Sequence, residues 1–134
     1  MFLKNEPFEY NGQSVTLTEL SALQRISHLA FLKAREEAEG GDDIQVALDD
    51  TIREGAYLVA MSLWHTHPVK GTLGSPEDEE RQLMNEVLQR WPVEAISAAF
   101  SRVIVLSGMV TPVRTAPEEE ETEAVTAGKP STVN

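Results

Sequence analysis

Tyr57-Leu58-Val59-Ala60-Met61-Ser62-Leu63-Trp64 is the stretch that decides the fold. At about 100° per residue its apolar side chains point to every side of a helix, and a helix apolar all round is buried. The same helix extends upstream through a stripe of Ile44, Leu48, Ile52, Val59 and Leu63, opening at Asp42 or Asp43 and running to about Trp64. Gly55 weakens it locally by roughly 1 kcal/mol relative to Ala, so its presence predicts close approach of another helix. One buried helix of this length needs helices around it.

They follow on both sides. Upstream, Thr16 with Glu19 three residues on has the spacing of a capping box. Behind it Leu20, Leu23, Ile26, Leu29, Ala30 and Ala34 fall in one arc, predicting a first helix over about 17–37, its inner face made by that arc. His28 lies on the opposite, polar side and reads as solvated. Glu36, Glu37, Glu39, Gly40 and Gly41 end this helix. Downstream, Ser75 is a natural N-cap. Pro76 suits the first helical position, and Glu77, Asp78, Glu79 and Glu80 read as a solvated face or as partners of the helix dipole. Leu83, Met84, Val87, Leu88 and Trp91 give a third helix its face. After Pro92 a fourth runs with Ile96, Ala99, Phe100, Val103 and Leu106 inward and stops at Gly108. The predicted spans are about 17–37, 43–64, 76–90 and 93–107. Trp64 and Trp91 end adjacent apolar faces and are expected to close one core.

Before the helices, Phe8, Tyr10, Val15 and Leu17 alternate with polar residues around Asn11-Gly12. Asn-Gly accepts the positive φ angles of a type I′ turn, so a tight hairpin is expected. Beyond residue 109 the composition changes. Residues 110–134 hold three prolines, five glutamates and no aromatic, too little apolar surface to offset the entropy of ordering. The fold class is therefore mainly α: a small four-helix domain over 1–109 with a short N-terminal β-hairpin, and a disordered acidic tail over 110–134.

The 134 residues carry 22 Asp+Glu against 11 Lys+Arg, a formal charge of -11. That balance opposes nucleic acid, whose binding needs Lys and Arg to displace counterions, and it opposes anionic membrane surfaces. No apolar run approaches the roughly 20 residues of a membrane span. With no cysteine there is no disulfide, no thiolate nucleophile and no Cys-based metal site.

One stretch invites an enzymatic alternative. His65-Thr66-His67-Pro68, with Ser75 and Asp78 at the right distances, matches the spacing of JAMM/MPN+ zinc isopeptidases. There two histidines and an aspartate hold zinc, a serine helps the oxyanion, and a glutamate acts as base; Glu9 is the glutamate placed for that role. Such a site ends a strand of a β-rich fold. Here the flanking sequence reads as helix, and a helix cap already accounts for Ser75 and Asp78. The histidines are read as residues near a helix C-terminus, and no metal or cofactor is expected.

A broader pattern covers the chain. Met1-Phe2-Leu3-Lys4, Phe8-Glu9, Asn11-Gly12 and the run from Val15 to Ile26 open it. Ile52-Arg53, Gly55-Ala56, the run from Leu58 to His65, and His67-Pro68 mark its centre. Glu86-Val87-Leu88, Trp91-Pro92, Glu94-Ala95-Ile96-Ser97, Leu106-Ser107-Gly108-Met109, Ala127-Gly128-Lys129 and Ser131-Thr132-Val133 complete it. This pattern resembles the minor tail protein G family of lambda-like long-tailed phages, the tail assembly chaperones. The resemblance implies a non-enzymatic protein of the host cytoplasm, absent from the finished virion, that coats the tape measure protein and keeps it soluble. It leaves room for self-association along that client. It also implies a longer product made by a -1 frameshift, which brings in tail tube subunits. In the family the slippery heptamer encodes Gly-Lys, so Gly128 and Lys129 are where the shift is expected. Phe2, Phe8 and Tyr10 on the hairpin, or an edge of the fourth helix, are the candidate partner surface.

Overall fold

The computed structural model describes residues 2–38 and 44–109. The expected tail over 110–134, with Gly128 and Lys129, and the expected helix opening at Asp42 or Asp43 lie outside the described residues. The elements run β1 (Asn5–Tyr10), β2 (Gln13–Thr18), α1 (Ala22–Ala38), α2 (Ile44–Trp64), α3 (Pro76–Arg90) and α4 (Val93–Leu106).

β1 and β2 form an antiparallel hairpin in register from Asn5 opposite Thr18 to Tyr10 opposite Gln13. Asn11 (φ 51°) and Gly12 (φ 80°) make the two-residue turn, both at the positive φ that a type I′ turn demands. The hairpin lies over the helices rather than standing alone. Leu17 is fully buried, and Phe8 and Val15 pack against the core.

α2 is the central element, packed against α3, α4, β2 and, more lightly, α1. Leu58, Val59, Ala60, Met61 and Ser62 are all fully buried, as the run of apolar residues requires. Gly55 supplies the expected close approach: a Cβ built there would sit 3.1 Å from Ile96 Cγ2 of α4. α3 begins as predicted, with Ser75 Oγ accepting from the Asp78 N–H at 3.1 Å and Pro76 following the cap. α4 starts behind Pro92 and buries Ile96, Ala99, Val103 and Leu106, with Gly108 (φ 69°) turning the chain after it. Trp64 and Trp91 both pack, partly buried, against the one core.

The start of the first helix is corrected. Thr16, Leu17 and Thr18 complete β2, and Glu19 extends the hairpin: its N–H reaches Lys4 O at 2.8 Å and its carboxylate takes the Lys4 N–H at 2.6 Å. The capping box is Ser21 with Gln24. Ser21 Oγ accepts from Gln24 N–H at 3.2 Å, and Gln24 Oε1 accepts from Ser21 N–H at 3.1 Å.

The face of that helix is corrected too. α1 turns Gln24 and His28 into the protein and leaves Leu23 (70% exposed), Ile26 (62%) and Leu29 (51%) in solvent. His28, expected to be solvated, is 2% exposed. Gln24 explains the orientation, because its amide is anchored at several points below α1. Ile44 and Leu48, expected on the inner stripe of α2, are likewise exposed.

Candidate functional site

Gln24 sits at the centre of a buried polar network. Its amide nitrogen donates to Met61 O at 2.9 Å and to Glu80 Oε2 at 2.8 Å, while its amide oxygen lies 2.8 Å from His65 Nε2. With Gln24 Oε1 as acceptor, His65 carries its proton on Nε2. Burial, and then the positive charge of Lys70, pushes the His65 pKa down, so the neutral ring is favoured. Glu80 is held up by burial. Its neighbour Glu79 is held down, first by the Leu73 N–H at 2.9 Å and then by the Trp64 indole N–H at 2.9 Å. These two carboxylates are buried, not the solvated groups expected from sequence. Glu79 ties the loop after α2 to the first turn of α3.

The zinc alternative requires His65, His67 and Asp78 to converge, and the structure does not bring them together. His65 is committed to Gln24. His67 Nδ1 accepts from the Val69 N–H at 3.0 Å. Asp78 accepts from Arg81 at 2.9 Å on the surface of α3, and Ser75 is occupied as its cap. Among the described residues no three His, Asp or Glu side chains are grouped to hold a metal ion, and Glu9 is on the exposed side of β1. The described strands form one two-stranded hairpin, not the sheet that such a hydrolase is built on.

Two apolar surfaces remain. The first lies where the hairpin meets the junction of α3 and α4. Phe8 and Tyr10 line an open cavity of about 580 Å³ with Val15, Trp91, Pro92 and Ala95. Phe8 stacks on Trp91 with ring centroids 6.2 Å apart and planes within 4°. Tyr10 donates from its hydroxyl to Glu94 Oε1 at 3.2 Å. The structure therefore joins Phe8 and Tyr10 in one groove, partly satisfied by the protein itself. Phe2 is not in it and stands fully exposed. Arg102 pins the outer strand by gripping Glu6 at 2.8 and 3.0 Å.

The second surface includes an edge of the fourth helix, which the sequence offered as a candidate, but its wall on α1 was not expected. Between α1 and α4 runs a cavity of about 790 Å³ whose walls are Leu29 and Leu32 on one side and Phe100, Ile104, Val105 and Met109 on the other. Arg25, His28 and Glu54 also line it. The Glu54 carboxyl is held below the usual range by His28 and by the Arg35 guanidinium. His28 Nε2 stands 3.6 Å from Glu54 Oε2, too far for a hydrogen bond, and neither ring nitrogen has a hydrogen-bond partner among the described residues. The signal in the sequence was Gln24, His28 and Arg35 recurring at helical spacing on one face of α1, a polar stripe competing with the apolar arc.

Comparison with known proteins adds the following. The family described as "Bacteriophage lambda tail assembly chaperone, TAC, protein G" matches residues 1–126. The chain is 52% identical over 140 residues to tail assembly protein G of Escherichia phage lambda, and 50% identical over 141 residues to tail assembly protein G of Escherichia phage N15. In both cases all of each chain is covered. It is also 52% identical over 135 residues to tail assembly protein GT of phage lambda, an alignment covering 96% of this chain and 48% of that longer protein. No solved structure matches.

Proposed function

The chain belongs to the protein G family of bacteriophage lambda tail assembly chaperones, and from that premise we propose that it holds the tape measure protein soluble during tail assembly. What supports this reading most is the apolar stripe of Leu23, Ile26 and Leu29 left in solvent on α1. A chaperone for a long, aggregation-prone client needs apolar surface that is uncovered until the client arrives, on a body whose charge keeps the complex in solution. The stripe supplies the first and the charge of -11 the second. The Phe8 and Tyr10 groove, with Phe2 beside the hairpin, is a second partner surface in the same proposal. Copies set along one client are free to contact each other. The work is done in the host cytoplasm, by binding alone, with no catalytic residue and no cofactor.

A frameshifted longer product belongs to this proposal. The match to protein GT leaves out about 4% of this chain, against none for protein G. In this reading the shift to the -1 frame falls at the codons of Gly128 and Lys129. The longer product would then carry a second domain that recruits tail tube protein. Synonymous recoding of these two codons tests it. The longer product should vanish and tail yield fall while the short protein keeps its sequence. Unchanged amounts of both products would refute the frameshift.

A further inference from the structure

We propose that the groove between α1 and α4 is filled by the chain's own segment 110–113, Val110-Thr111-Pro112-Val113, lying extended along it from Met109. This goes beyond the tape measure reading and does not depend on it. The described chain stops at the groove itself. Gly108 (φ 69°) turns it after α4, and Met109, 8% exposed, is fixed by its N–H to Ile104 O at 2.9 Å and lines the groove. The Leu20 N–H donates to Ser107 Oγ at 3.0 Å, which sets the end of α4 beside the start of α1. α1 packs on α2 and hardly touches α4, so the space next to Met109 is open between Leu29 and Leu32 on one wall and Phe100, Ile104 and Val105 on the other.

The length and chemistry of the segment fit that space. From Arg25 to Leu32 α1 rises about 10 Å, which an extended chain covers in about three or four residues. Pro112 has no N–H to bury and holds Thr111 in an extended conformation. Alternate side chains of an extended chain leave on opposite sides, so Val110 and Pro112 face one wall and Val113 the other. The composition that keeps 110–134 from folding alone does not oppose this, because only a few residues are ordered and the body supplies the apolar surface. His28 also gains a partner. It is buried in the lining, neither ring nitrogen has a hydrogen bond among the described residues, and the Thr111 hydroxyl or backbone supplies one. Charge does not oppose the occupant. Glu54 is already paired with Arg35, and residues 110–117 hold a single charge, Arg114, the glutamates beginning at 118. Exposed Glu36 lies one turn beyond Leu32, where Arg114 emerges. Attachment selects the segment over other occupants: joined to Met109, it is present at an effective concentration of about millimolar or more, and a second copy or a client must displace it. Docked, it covers Leu29 and Leu32 and leaves Leu23 and Ile26 outside.

The test places Leu29→Cys with Val113→Cys in the full chain, which has no cysteine of its own. In a glutathione redox buffer the pair should close within one chain at least about tenfold faster than the same pair carrying Val110→Ser and Pro112→Ser. Equal rates overturn the proposal, since they show a tether that only passes by and a groove left to a partner. Disulfides formed chiefly between isotope-labelled and unlabelled chains in a mixture overturn it in favour of a second copy. Hydrogen exchange on the chain without cysteine decides the matter even if the cysteine pair does not fold. Val110→Ser with Pro112→Ser should speed exchange of the α1 amides at 28–33 by about fivefold and leave those of α3 unchanged. Unchanged exchange at 28–33 overturns the proposal.

Discussion

Ser62→Ala should cost this protein about 2–4 kcal/mol, an unusual loss for removing one oxygen. In the hairpin, Glu19 N–H bonds back to Lys4 O, so the next residue inward, Thr18, faces Asn5 across a pair without mutual hydrogen bonds. Its N–H and C=O therefore point away from β1 and into α2. There a single side chain satisfies both: the Thr18 N–H donates to Ser62 Oγ at 2.8 Å, and the Ser62 hydroxyl donates to Thr18 O at 2.7 Å. Both residues are fully buried. Alanine at 62 leaves two backbone groups without water or partner, at roughly 1–3 kcal/mol each, less some relaxation. Helix propensity favours alanine over serine slightly and offsets a few tenths. Urea unfolding followed by far-ultraviolet circular dichroism gives the number, with Ser97→Ala on the exposed side of α4 as a control expected within about 0.5 kcal/mol. Hydrogen exchange should also show the Thr18 amide losing protection before the α2 amides. A loss below about 0.5 kcal/mol for Ser62→Ala would show that the hairpin is not anchored through this clamp.

Gly55→Val should destabilise by about 1–3 kcal/mol, because even a Cβ there meets Ile96 at 3.1 Å; urea titration that finds no loss would show α2 and α4 to be less closely packed. Trp91→Ala should cost about 2 kcal/mol, below the figure for a fully buried tryptophan, since Trp91 is only partly covered and stacks on Phe8; intrinsic fluorescence and the same titration check it. Glu79 has a folded pKa below its unfolded value. Its stabilising effect is thus present above about pH 4.5 and lost as pH falls through the folded value, so Glu79→Gln should be less stable at pH 7 and show a flatter loss below pH 4.5 in acid titrations. Glu80 has the opposite sign: burial raises its pKa, so the carboxylate is least welcome at neutral pH, and Glu80→Gln should gain stability at pH 7 and lose that gain as pH is lowered.

Elements written in local chemistry were legible in the sequence. Asn11-Gly12 dictated its turn, Ser75-Pro76 its helix start, and Gly55 its close contact, because each is decided within a few residues or by one absent Cβ. The first helix was harder for two physical reasons. Thr16 with Glu19 and Ser21 with Gln24 have the same capping-box spacing, and pairing of β2 with β1 decided between them. The arc of Leu23, Ile26 and Leu29 was a real periodicity, but periodicity says that a face seeks cover without saying from what. Inside the protein the competition was settled by Gln24, whose amide reaches Met61 O and Glu80. The apolar arc was left outward, where in the proposed function it awaits another protein. Phe8 and Tyr10 share one face of the hairpin, as their alternation implies, whereas the α1 wall facing the edge of the fourth helix needed the tertiary structure to appear.

The most direct test is sedimentation of the tape measure protein of the same phage, expressed with and without this chain. With it, the tape measure protein should remain in the supernatant and co-purify with many copies of the chain. Substituting Leu23, Ile26 and Leu29 together by serine should return it to the pellet while leaving the chain folded, since all three lie in solvent. A tape measure protein that is insoluble with and without the wild-type chain, or equally soluble in both cases, would contradict the proposed role.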